Sequence, residues 1–413
     1  MTSAAREINL KNETILLFGC SDWDHWRQPN EFACLFAKKN KVIYVERLWC
    51  YEELRWKKIS RWDYLRRFWA QPLRKVTENL FILRPPPTLP VNISILSRFF
   101  SKEITRFSIR LSRAIQIRLI RRWLQDKRIL PTVCFVSEPF DLLLLGTFRE
   151  RVSCYYVWDE ISLFPGNKIK SELVEEIESK FIHRAHLVFA SSQSQVEKRR
   201  RINPNTFLIA NAFDSERFHA VLDSKAPEPS DLQRIPHPRI GYIGSLDFRT
   251  DFDLLMRIVD RHPEWPLIIV GWTFQRGEEG LSALCSKTNV HFLGKKPSTE
   301  IPNYIKGFDV GLIPLRVTKS TNTMYPLKLH EYLAVGLPVI STALKEVKPF
   351  SEVVSIAKDA NEFVDLIEEA LADNSSEKAR ARIAVAKENT WEKRVALMSD
   401  AINKLLNEGV NDD

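Results

Sequence analysis

Short apolar runs alternate with stretches of helical periodicity along almost the whole chain. In the first half the runs are TILLFGC, KVIYVE, NLFILRP, TVCFVSE, VSCYYVWD, HLVFASS and TFLIAN; in the second they are RIGYIGSL, PLIIVGW, VHFLG, DVGLIPL, LPVIST and EVVSIA. Continuous runs between helices predict parallel strands covered on both faces. Between the halves lies DSERFHAVLDSKAPEPSDLQRIPHP, rich in Pro, Asp and Ser, which reads as a linker. The pattern predicts an α/β protein of two doubly wound domains, roughly 1–215 and 236–390. The last helix, TWEKRVALMSDAINKLL, with the tail to 413, is expected to pack back on the first domain. There is no repeat of 20–50 residues and no low-complexity tract.

Bulk composition narrows the class. A chain of 413 residues is too long for one ordinary core. Its apolar share of 44% and charged share of 27% are those of a soluble globular protein. No run approaches the ~20 apolar residues of a membrane span, and the polar start MTSAAREINLKNE lacks a signal peptide's apolar core. The six cysteines show no C-x-x-C pairing, so they read as reduced core residues of a cytosolic protein.

Charge is unevenly spread. Residues 47–128 hold 20 Lys+Arg and 6 Asp+Glu, a net of +14, against +9 for the whole chain. Five tryptophans (49, 56, 62, 69, 123) fall in this window, which ends in a basic amphipathic stretch, EITRFSIRLSRAIQIRLIRRWL. Basic and aromatic surface suits an anionic membrane, with nucleic acid or a solvated helix face as the alternatives. Because Trp prefers the headgroup zone, the membrane surface is the expected partner and nucleic acid is not.

Ligands of open α/β sheets sit beyond the carboxyl ends of the strands. Neither G-x-G-x-x-G nor a Walker A loop occurs, which argues against a dinucleotide oxidoreductase and a P-loop ATPase. In the second half, GYIGSLDFR ends a strand with Gly241 and Gly244 and delivers Arg249, IIVGW ends another at Gly271, and HFLGKK ends a third. MYPLKLHEYLAVGLPVIST then predicts a short helix opening at Pro326 and closing near Gly336, with Leu329, Tyr332 and Leu333 on its buried face. Lys328 adds a cation to an end that is already positive, which suits a bound anion. Glu331, three residues on, shares its face and can accept hydrogen bonds from a ribose diol. Together they describe a nucleotide-diphosphate site; the alternative is an intrahelical surface pair.

DVGLIPLRVTKSTNTMYPLKLHEYLAVGLPVIST resembles the donor-site segment of GT-B glycosyltransferases of family four, also called glycosyl transferases group one. RIGYIGSLDFRTDFDLLMRIVDRHPEWPLIIVGW is similar to the opening of their C-terminal domain, and NVHFLGKKPSTEIPNYIKGFDVGLIPL continues the match. DWDHWRQPNEFACLFAKKNKVIYVE and YYVWDEISLFPG are similar to the branch that builds bacterial cell-surface polysaccharides, including teichuronic-acid-type transferases. The resemblance implies two Rossmann-like domains facing across a cleft. It also implies sugar transfer from a nucleotide-diphosphate sugar, UDP- or GDP-linked, to a hydroxyl, usually with retention and with no metal or other cofactor required. By the same resemblance Glu331 holds the ribose, Lys328 and Arg249 neutralise the diphosphate, and the base rests near Phe292, Leu293, Gly294 and Lys295. Gly244, Gly271, Arg316 and Leu329 complete the candidate donor set.

The sequence departs from that family at two places. A second glutamate is expected eight positions before Glu331, where this chain has Thr323, which leaves the sugar and the stereochemistry open. The usual Arg and Lys after the first C-domain strand align with Ser245 and Thr250, so Arg249 and Arg316 stand as substitute cations, or as partners of surface acids. The N-terminal domain is expected to take the acceptor, a glycan or polyprenyl-linked hydroxyl. CSDWDHWRQ supplies Asp22, Asp24, His25 and Arg27 as candidates, Asp24 and His25 as catalytic ones; His25 reads as a base or orienting group for the acceptor hydroxyl, or as a structural histidine capping a turn. DWD has the form of a metal motif, but such short patterns arise by chance and no metal is expected. Asp159 and Glu160 either meet acceptor hydroxyls or cap the next helix. The expected place of work is the inner face of the cytoplasmic membrane. A nucleotide-sugar epimerase of the same fold, and a non-catalytic binding scaffold, are the competing readings.

Overall fold

The computed structural model describes residues 7–24, 27–47, 73–85, 102–164, 168–222, 228–272 and 279–408. It comprises two compact units, Met1–Ala210 with Glu392–Asp413, and Asn211–Trp391.

In the first unit the strands are β1 (Thr14–Phe18), β2 (Lys41–Val45), β3 (Leu73–Lys75), β4 (Leu80–Leu83), β5 (Val133–Val136), β6 (Val152–Val157), β7 (Leu187–Ala190) and β8 (Thr206–Leu208). They form one sheet in the order β3-β4-β2-β1-β5-β6-β7-β8. Every neighbouring pair is parallel except β3 with β4. Every residue of β5, β6 and β7 is buried, which is why these runs are apolar throughout rather than alternating. The helices are α1 (Gln28–Ala37), α2 (Lys102–Asp126), α3 (Lys168–Phe181) and α4 (Gln193–Arg200). The apolar pattern did not announce β3, Leu-Arg-Lys. It is a short antiparallel edge with two of its three residues exposed, so it carries no apolar signal.

The second unit begins with α5 (Ser215–Leu222), inside the stretch expected as a linker. Phe218 is 1% exposed there and Leu232 is fully buried, so part of that segment is packed structure and not a tether. The strands β9 (Ile240–Ile243), β10 (Leu267–Val270), β11 (Val290–Gly294), β12 (Val310–Ile313), β13 (Val339–Thr342) and β14 (Ser355–Ala357) form a parallel sheet ordered β11-β10-β9-β12-β13-β14. Helices α6 (Phe252–Arg261), α7 (Glu279–Cys285), α8 (Ile301–Lys306), α9 (Lys328–Ala334), α10 (Ala360–Ala372) and α11 (Ser376–Lys387) connect them. Helix α6 starts where Asp251 accepts a hydrogen bond from the Leu254 N–H at 3.0 Å, and it buries Phe252, Leu254, Leu255, Ile258 and Val259. The final helix, α12 (Trp391–Glu408), hydrogen-bonds to the first unit: the Leu10 N–H donates to Ser399 Oγ at 2.6 Å and Arg151 to the Leu406 carbonyl at 2.6 Å.

Leaving aside the antiparallel edge β3, each sheet reverses its strand order once. In the first unit the reversal lies between β1 and β5, in the second between β9 and β12. The chain turns away from such a point in both directions, which leaves a crevice beyond the carboxyl ends of the two strands. The cysteines only partly match the expectation of core residues. Cys134 and Cys154 are buried in β5 and β6, whereas Cys285 is exposed at the end of α7.

Candidate active site

The turns after β9 and β12 bring together residues far apart in the chain. Strand β9 pairs with β12 only at Ile240 and Gly241. Beyond that the strands part, and the Ile243 N–H donates to Tyr332 Oη of α9 at 2.8 Å. Tyr332, Leu329 and Leu333 are each fully buried, so the apolar face of α9 holds the helix against the sheet. Its first residue is Lys328, two places after the expected start at Pro326. Arg382 of α11 donates to the Gly336 carbonyl at 3.0 Å at the far end of α9, where a cation suits the helix dipole.

That seating lays the Lys328 ammonium on the face of Tyr242, 3.7 Å from the ring centre. The Tyr242 hydroxyl donates to the Ser245 carbonyl at 2.9 Å, which folds the turn after β9. Gly244 has φ +131°, and a Cβ on it would stand 3.1 Å from Lys328 Nζ. Gly271, at the end of β10, would place a Cβ 2.0 Å from the Gly244 carbonyl oxygen. Both positions therefore need glycine, one for its backbone angle and one for close approach. Burial, reinforced by the nearby Arg249 charge, lowers the Lys328 ammonium to about 7, against the opposing pull of Asp247 and Glu331. Among the described residues no carboxylate forms an ion pair with Lys328.

Arg249 is gripped by Asp247. Its Nε donates to Asp247 Oδ1 at 2.8 Å, its Nη2 pairs with Oδ2, and its own N–H donates to Oδ1 at 3.1 Å. The Arg316 N–H donates to the Arg249 carbonyl at 2.8 Å beside the Thr250–Leu315 bridge, so both arginines sit on the two turns of the reversal point. The Arg316 side chain is exposed and makes no ion pair among the described residues. Glu331 is half-buried on α9 and close enough to Lys328 to act on its charge.

Other expected donor residues fare differently. Leu329 presents nothing to a ligand: its side chain is fully buried and its N–H donates to the Pro326 carbonyl at 3.2 Å. Phe292 packs against the core of the second unit. Leu293 is half-buried, and Gly294 is exposed with φ +71°. The exposed ring nearby is Trp272, 54% accessible, with Lys295 Nζ 5.3 Å from its centre.

In the first unit, Asp22 is buried and Asp24 is exposed, paired with Arg74 at 3.7 Å. Arg27 is exposed at the start of α1, and its N–H donates to Asn30 Oδ1 at 3.0 Å. His25 lies outside the described residues. Glu160 is not available to an acceptor. Burial alone would raise its carboxyl, but Arg199, 2.9 Å away, and Lys198 bring it down to about 2. Arg199 also binds Glu178, at 2.8 Å, in the same buried cluster. Asp159 accepts from the Glu160 N–H at 2.9 Å.

Residues 237–373, which contain the whole of this second-unit cluster, match the family described as Glycosyl transferases group 1. This chain carries a glycosyl transferases group 1 domain. It is 26% identical over 234 residues, 54% of its length, to TuaH of Bacillus subtilis (strain 168), whose name assigns it to teichuronic acid biosynthesis as a glycosyltransferase. The match spans 58% of that relative, less than two thirds of its length. Among solved structures, it is similar to a sucrose-phosphate synthase from Thermosynechococcus elongatus (TM-score 0.68, 16% identity, 96% of this chain and 100% of the other). It is also similar to HepE from Anabaena in complex with UDP and glucose (TM-score 0.62, 13% identity, 96% and 100%). The fold is GT-B, with two parallel-sheet Rossmann-like domains.

Within the glycosyl transferases group 1 domain, Thr323 occupies a short turn. Its hydroxyl donates to the Ser320 carbonyl at 2.7 Å, so it cannot stand in for a carboxylate. Sequence reasoning missed Asp247, Tyr242 and Trp272, and it placed Tyr332 on the buried face of the helix without foreseeing the bond its hydroxyl accepts from the Ile243 N–H. Asp247 stands two residues before Arg249, a spacing that signals nothing along a turn. The aromatic residues read as core until their partners are seen.

Proposed function

We propose that the protein moves a sugar from a nucleotide-diphosphate sugar, UDP- or GDP-linked, to a hydroxyl of a glycan or polyprenyl-linked acceptor. It does so in cell-surface polysaccharide synthesis, as a hexosyl- or other glycosyltransferase that retains anomeric configuration. The single observation that carries the reading is the Lys328 ammonium on Tyr242, with no ion-paired carboxylate among the described residues, beside Arg249 and Arg316 at the reversal point of the sheet. Lys328 and Arg249 neutralise the diphosphate as its bond to the sugar breaks, and the helix end adds its partial charge. Glu331 holds the ribose hydroxyls, while Gly244 and Gly271 let the phosphates approach the backbone. Exposed Trp272 offers the base a ring in place of Phe292.

The first unit receives the acceptor at the turn after β1, where Asp24 and Arg27 are exposed and His25 follows Asp24 in sequence. As the new C–O bond forms and the sugar–phosphate bond breaks, the diphosphate leaves with the bonding electron pair; the hydroxyl's proton passes to His25 as base or, where His25 only orients the hydroxyl, to the departing diphosphate. These cations perform the charge neutralisation without a required cofactor. Work at the inner face of the cytoplasmic membrane fits the net +14 of residues 47–128. No helix among the described residues is long and apolar enough to cross a bilayer.

A thermal-shift screen of nucleoside diphosphates and nucleotide sugars tests the reading. A matching nucleotide at a hundredfold excess over its Kd stabilises by ~2.7 kcal/mol. No protection by any of them, or protection unchanged in Lys328→Ala, refutes the donor site. Incubation with the donor alone separates transfer from epimerisation, which needs no acceptor.

A further inference from the structure

We propose that α2 is the bilayer-docking element. It lies flat in the headgroup region of an anionic membrane, with Ile104, Phe107 and Leu111 turned into the lipid and Arg110, Arg118 and Arg122 on its phosphates. This deepens the membrane reading above, but vesicle binding is measured without turnover, so the two can fail separately.

The argument starts from how the two sides of α2 differ. The inward side is Ile109, Ser112, Gln116, Ile120 and Leu124, all buried, at spacings of three and four. The arginines nearest that side are satisfied: Arg106 pairs with Glu176 at 2.7 Å and Arg113 with Asp141 at 2.9 Å. Among the described residues nothing comparable holds the outward side. Ile104 is 45% exposed, Phe107 66%, Leu111 43% and Leu119 41%. Positions 104, 107 and 111 fall on one line along the helix, and 118 and 122 continue it. Arg110, Arg118 and Arg122 have no ion pair or hydrogen bond among the described residues. Helix α2 carries seven Lys and Arg but only two acids, Glu103 and Asp126, one at each end.

Single exposed apolar side chains are ordinary on a helix; several in line on one face form a patch that marks an interaction surface. Here Ile104, Phe107 and Leu111 stand out on that face, beside guanidinium groups that have no counter-charge among the described residues. Nucleic acid would use the charges and leave Phe107 and Leu111 in water. A bilayer with anionic headgroups uses both, burying the apolar stems at the acyl boundary while the arginines meet phosphate. The expected tryptophan contribution does not come from Trp123, which packs against the core of the first unit. Trp49, Trp56, Trp62 and Trp69, with Arg66 and Arg67, lie outside the described residues.

The test is flotation of the full chain with vesicles of phosphatidylcholine alone or with about one third phosphatidylglycerol. The expected result is binding to the mixed vesicles only, weakened by about 1 M salt. Arg110→Gln/Arg118→Gln/Arg122→Gln should lower partitioning roughly a hundredfold, at about fivefold per arginine near the surface. Phe107→Ser/Leu111→Ser should weaken it with the charges intact, which separates insertion from charge attraction. All five side chains are exposed, so circular dichroism and Tm should stay those of the parent. The proposal is overturned if the parent ignores anionic vesicles or both variants bind as the parent does. Capture of the parent by a random DNA duplex in preference to the vesicles, lost in the arginine variant, overturns it too.

Discussion

Lys328 rests its ammonium 3.7 Å from the centre of the Tyr242 ring, where burial and Arg249 bring it to about 7. The two residues are 86 positions apart in the chain (328 − 242) and meet only because Tyr332 bonds α9 to the end of β9. The side chain keeps some solvent access, which softens the cost of the charge. On the proposed reading, a bound diphosphate would hold that ammonium charged.

Binding of a nucleotide sugar should therefore draw a proton from the buffer. At about pH 8 the free ammonium is mostly neutral and the bound one charged, so uptake approaches about one proton, and it vanishes below about pH 6. Calorimetry with UDP-glucose in buffers of different ionisation enthalpy reads this directly, because its diester phosphates do not titrate there. Affinity should fall towards tenfold per pH unit above about 7. A binding heat that ignores the buffer at pH 8 would sink the idea.

Function and stability should move in opposite directions in Lys328→Met. Lys328 binds its proton less tightly folded than unfolded, so the unfolded chain holds more protons between about pH 7 and 10 and stability rises with pH across that window. Removing the ammonium abolishes that slope and raises the Tm at pH 7, at about 2–4 °C per kcal/mol. Turnover should drop roughly a hundredfold or more, as it should in Glu331→Ala without the gain in Tm.

Asp247→Asn frees Arg249 from its clamp and removes a charge that favours the Lys328 ammonium. Nucleotide-sugar affinity should fall about fivefold to tenfold. Its fall with rising pH should also begin at a lower pH than in the parent. An unshifted pH profile would show that Asp247 acts on Arg249 alone.

Gly244→Ala carries a backbone penalty of about 1–3 kcal/mol at φ +131° and presses a methyl against the ammonium. Gly146→Ala is the control, since Gly146 also has a positive φ (+73°) but no atom within 4 Å of its Cβ position. Both should lower Tm, and only Gly244→Ala should lose nucleotide binding.

Glu160→Gln leaves buried Arg199 with Glu178 as its one ion-pair partner among the described residues, and should cost about 3 kcal/mol in a urea titration. Folding holds the Glu160 carboxyl at about 2, below its unfolded value near ~4.3. Its contribution is therefore present above that unfolded value and lost as pH falls towards 2. The variant should show less acid sensitivity in that window than the parent.

Apolar runs marked thirteen of the strands: in those buried at every position, such as β5, β6 and β7, burial on both faces demands apolar residues, whereas β8, β11 and β14 are partly exposed and their runs are apolar without that demand. The same logic missed β3, an exposed edge, and read α5 as linker because its buried Phe218 stands among charged residues. The placing of Lys328 and Glu331 on one short helix was legible because a helix start and a three-residue spacing are local facts. What only the tertiary structure decided was the company they keep. Tyr242 under the ammonium, Asp247 on Arg249, Arg316 joined to Arg249, and Glu160 locked to Arg199 are meetings of residues whose order along the chain carries no period. Sequence sets which faces are buried; the reversal of strand order, with strands parting at their carboxyl ends, sets which side chains then meet there.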